Sequence, residues 1–279
     1  MNKCLVTGHK GYIGSHVYSR LTELGHEVKG IDLKDGNNIM GTLLDPEFVG
    51  FKPEYIFHLA AIPRVAYSME FPYEVLYNNI VSSIAVLEYA RRQGTKRVIY
   101  SSSSSVRGNG DGPTSPYGAS KLVPEILCKN YSTVFDIDTV CLRYFNVYSE
   151  DQDAEGPYAT AVANWMKYIR EGYDPFITGT GVQRRDMLHV SDAVSANMFC
   201  MNHKKAFHGA HYDVGTGDNI SLNEIKDIVG NHHPNVVFEY IADRPGDVEF
   251  TKADTLPLYN LGWKTEISIK QGIESCFSN

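Results

Sequence analysis

Short apolar runs alternate along this chain with longer stretches in which apolar residues return every three or four positions. Leu5-Val6-Thr7, Glu27 to Asp32, Tyr55 to Leu59, Arg97 to Ser101 and Asp138 to Tyr144 have the length and content of buried strands. Between them, Tyr12 to Leu24, Tyr73 to Arg92 and Tyr117 to Tyr131 carry the period of amphipathic helices, and Gly25 stops the first. Strands and helices alternating at this spacing predict βαβ units and a parallel sheet. Because such crossovers are right-handed, an α/β doubly wound sheet is the expected product.

After Val147 the rhythm loosens. A helix is predicted from Ala159 to Glu171, then two short strands and a helix from Leu222 to Val229, separated by turns rich in glycine and proline. The division expected is residues 1–150 as the sheet domain, with some later segments returning to it, and 151–279 as a smaller lobe closing over the sheet's carboxyl edge. No internal repeat occurs. Ser101 to Ser105 has a linker's composition, but it directly follows a strand and is too short to be one.

Composition narrows the function classes. The chain has 279 residues, 43% hydrophobic and 21% charged, enough for a full core. Its net charge of −7 gives no electrostatic reason to bind nucleic acid or an anionic membrane. Any anion site must therefore be built locally, from a few arginines and helix N-termini. Met1 to Val6 is too short an apolar run for a secretory signal. No stretch reaches the ~18 apolar residues of a membrane span. Five dispersed cysteines (Cys4, Cys128, Cys141, Cys200, Cys276) with no CxxC read as reduced thiols in a cytoplasmic protein, with neither a disulfide framework nor a metal site.

Two patterns carry chemistry. Thr7-Gly8-His9-Lys10-Gly11-Tyr12-Ile13-Gly14 places a GxxGxxG turn between a strand and a helix. The glycines let the backbone approach a pyrophosphate, and the helix N-terminus offers it N–H groups and partial positive charge. Asp32 ends the next strand, where a carboxylate accepts hydrogen bonds from an adenosine ribose and repels a 2′-phosphate. Together these predict a Rossmann-type fold that binds NAD through Gly8, Gly11, Tyr12, Ile13, Gly14 and Asp32; Lys34 is the one nearby charge that would suit NADP. His9 and Lys10 are expected to be solvated loop residues.

The second pattern is Tyr117-Gly118-Ala119-Ser120-Lys121, a tyrosine and a lysine one helical turn apart. In a chain with 18 tyrosines this spacing would arise about once by chance. Its position gives it meaning: Ser115-Pro116 opens the helix just after the fourth strand, at the sheet edge where doubly wound folds bind ligands. A free tyrosine is a poor base at neutral pH, with a pKa of about 10. A neighbouring lysine and an oxidised nicotinamide both favour the phenolate, which can then take a proton from a sugar hydroxyl as hydride leaves the same carbon.

These blocks resemble the extended short-chain dehydrogenase/reductases and, among them, the nucleotide-sugar 4-epimerases. The resemblance runs through Thr7 to His16, His58 to Ala61, Ser68 to Asn79, Ser101 to Gly108, Ser115 to Lys121, Leu142 to Tyr148, Gly179 to Asp192, Tyr212 to Gly217 and Arg244 to Val248. It implies Tyr117 as general acid/base, Lys121 as its activator and nicotinamide-ribose ligand, and Ser103 as the hydroxyl that holds the substrate oxygen. Leu43, Leu59, Ala60, Ala61, Ser101 and Tyr144 match cofactor contacts, and Asn79 a position between cofactor and substrate. Ser104 and Asn146 match substrate contacts. Arg185 and Arg244 match phosphate-binding arginines, whose planar forks suit phosphate oxygens. The resemblance also implies a homodimer through a four-helix bundle built from helices 73–92 and 117–131.

Sister activities differ just after Ser103. The 4,6-dehydratases resemble one another in an Asp-Glu pair there, where this chain has Ser104 and Ser105. Decarboxylating relatives have a glutamate at the second position, and the fucose-forming 3,5-epimerase/reductases a cysteine. What remains is reversible oxidation at one carbon, as 4-epimerisation of a UDP-sugar requires. Thr251 falls at the gate beside the sugar's 2-substituent; a small residue there, with the block Gln152 to Ala159, resembles enzymes that accept UDP-GlcNAc and UDP-GalNAc besides UDP-glucose and UDP-galactose. A nucleotide-sugar 4-reductase or dehydrogenase remains the alternative enzyme, and a non-catalytic NAD-binding regulator the alternative class. Departures from the family pattern are Thr42 in place of an adenine-contacting aspartate, Arg107 before Gly108, a stretch from Gly108 to Ser115 about ten residues short, and Pro124 inside a helix, where a kink is expected.

Overall fold

The computed structural model describes residues 1–154, 160–242 and 249–278. A parallel sheet is built from β1 (Lys3–Thr7), β2 (Glu27–Ile31), β3 (Tyr55–His58), β4 (Arg97–Ser103) and β5 (Asp138–Tyr144), with Ala210–Val214 outside β5. The spatial order is 210–214, β5, β4, β3, β1, β2. The chain reverses its direction of strand addition between β1 and β3, the switch point at which doubly wound sheets open a ligand crevice. The helices are α1 (Tyr12–Glu23), α2 (Ile39–Thr42), α3 (Pro46–Val49), α4 (Val65–Glu70), α5 (Pro72–Gln93) and α6 (Pro116–Phe135). Every predicted strand and helix of residues 1–144 is present, with ends shifted by a few residues.

Two compact units divide the chain: Met1–Arg143 with Val194–Tyr212, and Tyr144–Ala193 with Asp213–Asn279. In the first, Leu5, Ile31, Ile56, Val98, Tyr100 and Cys141 of the sheet pack with Val86, Leu87 and Ala90 of α5. Residues 194–212 are held to it by polar groups. Buried Arg97 on β4 bonds the carboxylate of Asp138 at 2.5 Å and donates to the carbonyls of Cys200, His203 and Lys205. Asp138 in turn accepts from the Phe207 and His208 amides. One arginine thereby satisfies carbonyls at a helix end that have no partner within the helix.

Proline punctuates the long helices where theory allows it: Pro72 and Pro116 stand in first turns, and Ser115 caps α6 by accepting from the Gly118 amide. Pro124 lies buried in α6, which continues through it to Phe135. Asp45 stands at the N-cap of α3 as its sequence suggests, without a side-chain capping bond.

The second unit packs Trp165, Met166 and Val162 of helix Ala161–Arg170 against Ile225 and Val229 of Leu222–His232 and Ile273 of Ile269–Phe277. The predicted start of the first of these helices, Ala159, lies outside the described residues. Complete capping boxes, Ser221 with Glu224 and Ser268 with Gln271, open the other two. Among the described residues, no helix is long and apolar enough to cross a membrane.

Below β4, Glu125 and Arg143 form a buried bidentate pair at 2.9 and 2.6 Å, and Ser102 donates to the same carboxylate at 2.5 Å. Removing one partner strands the other charge in a dry interior. Glu125→Ala is expected to lower the unfolding free energy by about 3–5 kcal/mol. Glu125→Leu with Arg143→Met should recover most of that loss. Urea unfolding of the two variants checks the sign of the difference.

Candidate active site

Beyond the carboxyl ends of β1 and β3 lies a cleft of about 330 Å³ lined by Gly8, Gly11, Asp32, Leu59, Ala60 and Ala61, among others. Gly14 explains its shape: a Cβ there would overlap the Gly8 carbonyl oxygen, so only glycine lets α1 start this close to the turn. Tyr12 and Ile13 form the first turn of α1 behind it. Both carboxylate oxygens of Asp32 accept backbone N–H groups, from Lys10 and Lys34, each at 2.9 Å, which fixes the side chain at the cleft wall.

The basic residues nearby are committed elsewhere. Lys10 pairs with Asp35, and Lys34 donates to the Lys10 carbonyl. A glycine cradle closed to any Cβ and an oriented carboxylate with no unengaged cation beside it fit an adenosine diphosphate carrying free ribose hydroxyls, as in NAD.

Two expectations are corrected here. His9 is no simple solvated loop residue: its ring covers Gly30 on β2, where a Cβ would clash with it, and lies 5.2 Å from the Tyr18 ring. Leu43 packs in the core cluster rather than along the cleft, because the short connection after β2 turns that residue inward.

The Ser-Tyr-Lys set comes together at the end of β4. Gly118 makes this possible: a Cβ there would stand 2.5 Å from the Ser105 carbonyl oxygen, so α6 could not otherwise approach the turn after Ser103. The Ser103 hydroxyl hydrogen-bonds Tyr117. It also accepts from the Ser105 amide at 3.2 Å, and Ser104 lies in the single turn between them. Lys121 is buried, donates from Nζ to the Ser101 carbonyl at 2.8 Å and lies 5.2 Å from the Tyr100 ring centre.

The electrostatics follow from that dryness. Burial pushes Lys121 down to about 7, against a smaller opposing pull from Glu125. Burial raises the Tyr117 phenol, and the Ser103 hydrogen bond and the Arg64 charge draw it back. Burial, with the Lys121 charge, lowers His58 to about 3. His58 is therefore neutral, and its partners settle its tautomer. Ser83 spends its proton on the Asn79 carbonyl, so His58 Nε2 donates to Ser83 at 2.9 Å and Nδ1 accepts from Thr7 at 2.7 Å.

Asn79 has a role the sequence did not disclose. Its buried amide accepts from the Ile62 N–H at 2.7 Å and donates to the Ile62 carbonyl and the Ser120 hydroxyl. It clamps the segment after β3 to α6, next to the catalytic candidates. Ser68 makes a second clamp, accepting from the Tyr117 N–H at 3.0 Å. Neither clamp could be read from residue type; only the fold brings α4, α5 and α6 together.

In the second unit a cavity of about 190 Å³ is lined by Asn146, Arg185, Gln183 and Thr178 with Ile220 and Leu222. Asn146 donates to the Asp186 carbonyl at 2.7 Å and to the Thr251 hydroxyl at 3.3 Å. Thr251 thus helps set the Asn146 amide. Asp186, also missed by sequence reasoning, is fully buried and accepts from Thr216, Gly217 and Ala253. Neighbouring Arg184 is spent on Glu224 at 2.8 Å, which leaves Arg185 as the arginine on the cavity wall. Tyr144 is buried at the end of β5. Arg244 and residues 155–159 of the block after Gln152 lie outside the described residues.

A parallel sheet with a dinucleotide cleft at its switch point and a Ser-Tyr-Lys set on the next strand and helix defines a nicotinamide-dependent enzyme of the short-chain dehydrogenase type. Residues 4–215 match the model of the NAD dependent epimerase/dehydratase family, and the chain belongs to that family. It is 31% identical to the UDP-glucose 4-epimerase of Mycolicibacterium smegmatis, over 97% of this chain and 96% of that one. Among solved structures it is similar to the UDP-glucose 4-epimerase of Thermotoga maritima with UDP-glucose, at 29% identity and a TM-score of 0.92 over 99% of this chain and 97% of that one. It is also similar to the UDP-N-acetylglucosamine 4-epimerase of Methanobrevibacter ruminantium in complex with UDP-N-acetylmuramic acid, at 28% identity and a TM-score of 0.87 over the same shares.

The buried lysine has a thermodynamic signature. In the unfolded chain Lys121 titrates near 10.4 and in the folded protein near 7. Between those values the unfolded state binds more protons, so stability rises with pH across the window and falls as pH drops toward 7. Lys121→Met removes the titration. The wild type should therefore gain stability relative to the variant between pH 7 and 10, and urea midpoints at both ends measure it.

Proposed function

We propose that the chain is an NAD-dependent 4-epimerase of a UDP-sugar, taking UDP-GlcNAc/UDP-GalNAc and UDP-glucose/UDP-galactose. The observation that carries this reading is the Ser103–Tyr117 hydrogen bond, with buried Lys121 one turn further along α6. Bound NAD supplies a hydride acceptor that later returns the hydride. Gly8, Gly11 and Asp32 hold its adenosine diphosphate half; Lys121 and Ser101 lie where its nicotinamide ribose would be held.

Tyr117 takes the proton of the sugar 4-hydroxyl as C4 is oxidised, while Ser103 holds the oxygen in line. The 4-keto sugar turns about its diphosphate linkage, and Tyr117 gives the proton back when the other face of C4 is reduced. Ser104 and Ser105 offer no acid for loss of water, which favours epimerisation over dehydration.

Arg185 is assigned to the diphosphate with Arg244, and Asn146 to the sugar diphosphate. Thr251 leaves room for a 2-acetamido group, and residues 144–193 and 213–279 then form the substrate-binding lobe. A homodimer follows the same reading. Val123, Ile126 and Val134 share one exposed stripe of α6, and Tyr73, Tyr77 and Ile84 lie exposed along α5, an apolar surface suited to a second copy.

Purified protein incubated with UDP-GlcNAc or UDP-glucose, without added cofactor, should yield the galacto isomer in proton NMR of the anomeric signals. Tyr117→Phe should lose about 10²–10⁴ of the rate while still binding NAD. Two inert sugars in the presence of bound NAD would move the assignment to a reductase or to another nucleotide sugar.

A further inference from the structure

Arg64 stands just before α4 with φ 87°, a backbone region that suits glycine and is costly for any branched or long side chain. Its side chain is half-buried, and among the described residues it has no carboxylate or hydrogen-bonding partner. A desolvated guanidinium without a counter-ion, held by a strained residue, is unfavourable unless something nearby uses the charge.

The structure ties this residue to Tyr117. The Arg64 carbonyl accepts from the Ser68 N–H at 3.2 Å, and the Ser68 hydroxyl accepts from the Tyr117 N–H at 3.0 Å. Ser68 is fully buried, and its hydroxyl also donates to the Val65 carbonyl. The first turns of α4 and α6 are thereby locked side by side. Asn79 fixes the segment from the other side through both backbone groups of Ile62.

We propose that Arg64 is a second cationic support for the Tyr117 phenolate, a positioning residue whose strained backbone holds its charge beside the acid/base. The inference rests on Tyr117 being that acid/base. The other titratable groups around Tyr117 are Lys121 on its own helix and Tyr100 on β4; Glu125 and His58 stand behind them, facing Lys121. Lys121 is occupied by the Ser101 carbonyl, and the cation whose charge acts on the phenol here is Arg64. Two cations with divided tasks result: Lys121 against the cofactor side of the site, Arg64 against the phenol.

The test is the titration of Tyr117 in full-length, NAD-saturated protein carrying tyrosine labelled with ¹³C at Cζ, the signal being assigned by its loss in Tyr117→Phe. Arg64→Met and Arg64→Gly should each reduce the phenolate fraction at neutral pH by about tenfold, and Arg64→Lys should restore most of it. Arg64→Gly should melt no lower than the wild type, because glycine relieves the strained φ.

An unmoved Tyr117 titration with a lowered melting temperature would make Arg64 purely structural and overturn the proposal. So would an unmoved titration with a raised KM for the UDP-sugar, which would make it a substrate ligand, or failure of lysine to restore the phenolate. Residual turnover of Tyr117→Phe, by contrast, would overturn the epimerase mechanism and leave the titration itself readable.

Discussion

The costliest local demand in the first unit is the burial of the Lys121 ammonium against a single backbone carbonyl. Everything within reach is arranged so that this charge is tolerated without being neutralised. His58 is held neutral by its own hydrogen bonds, so it adds no second cation behind the lysine. Glu125 would quench the ammonium if it were alone, but Arg143 grips both its oxygens. The result is a pocket of net positive character whose missing anion is the phenolate of Tyr117. Low dielectric makes each of these contacts stronger and each unpaired group more expensive, so the set is conditional on staying dry.

Dryness is in turn a packing result. Gly118 lets α6 press onto the turn after β4, and the Asn79 and Ser68 clamps hold α4 and α5 against the same helix end. A longer residue at 118 would lift Tyr117 from Ser103 before touching any chemistry. The sequence YGASK thus carries two kinds of information. Tyrosine and lysine supply the reacting groups, and the glycine between them supplies the distance.

Much of this was legible beforehand because it is periodic or local. The strands and helices of the first 144 residues follow from alternating apolar runs, and the cleft from glycines and an aspartate at fixed offsets. What was illegible depends on contacts between elements far apart in the chain. Asn79 is 41 residues from Ser120, and its type alone does not distinguish a cofactor contact from an internal clamp. Asp186 looks like one more charge in an Arg-Arg-Asp run, yet it gathers four donors from two distant segments. His9 was misread because a histidine in a glycine turn suggests solvent, and only the register of β2 puts Gly30 beneath its ring. Arg64 carries no motif, and its strained φ is invisible until the chain has a backbone.

The reacting groups assigned to Ser103, Tyr117 and Lys121 belong to one compact unit, and Asn146, Arg185 and Thr251 belong to the other. That separation has a physical consequence for substrate choice. Proton transfer depends on sub-ångström placement inside the dry first unit, where a single added methyl at Gly118 is intolerable. The cavity of the second unit is lined by small polar and aliphatic residues, and Thr251 bonds Asn146 through its hydroxyl alone. A residue of different size at 251 can change what fits beside Asn146 without disturbing the pKa values that drive the chemistry. Relatives sharing this fold are named for UDP-glucose and for UDP-N-acetylglucosamine, the pattern expected when selectivity and reactivity are carried by separate cores.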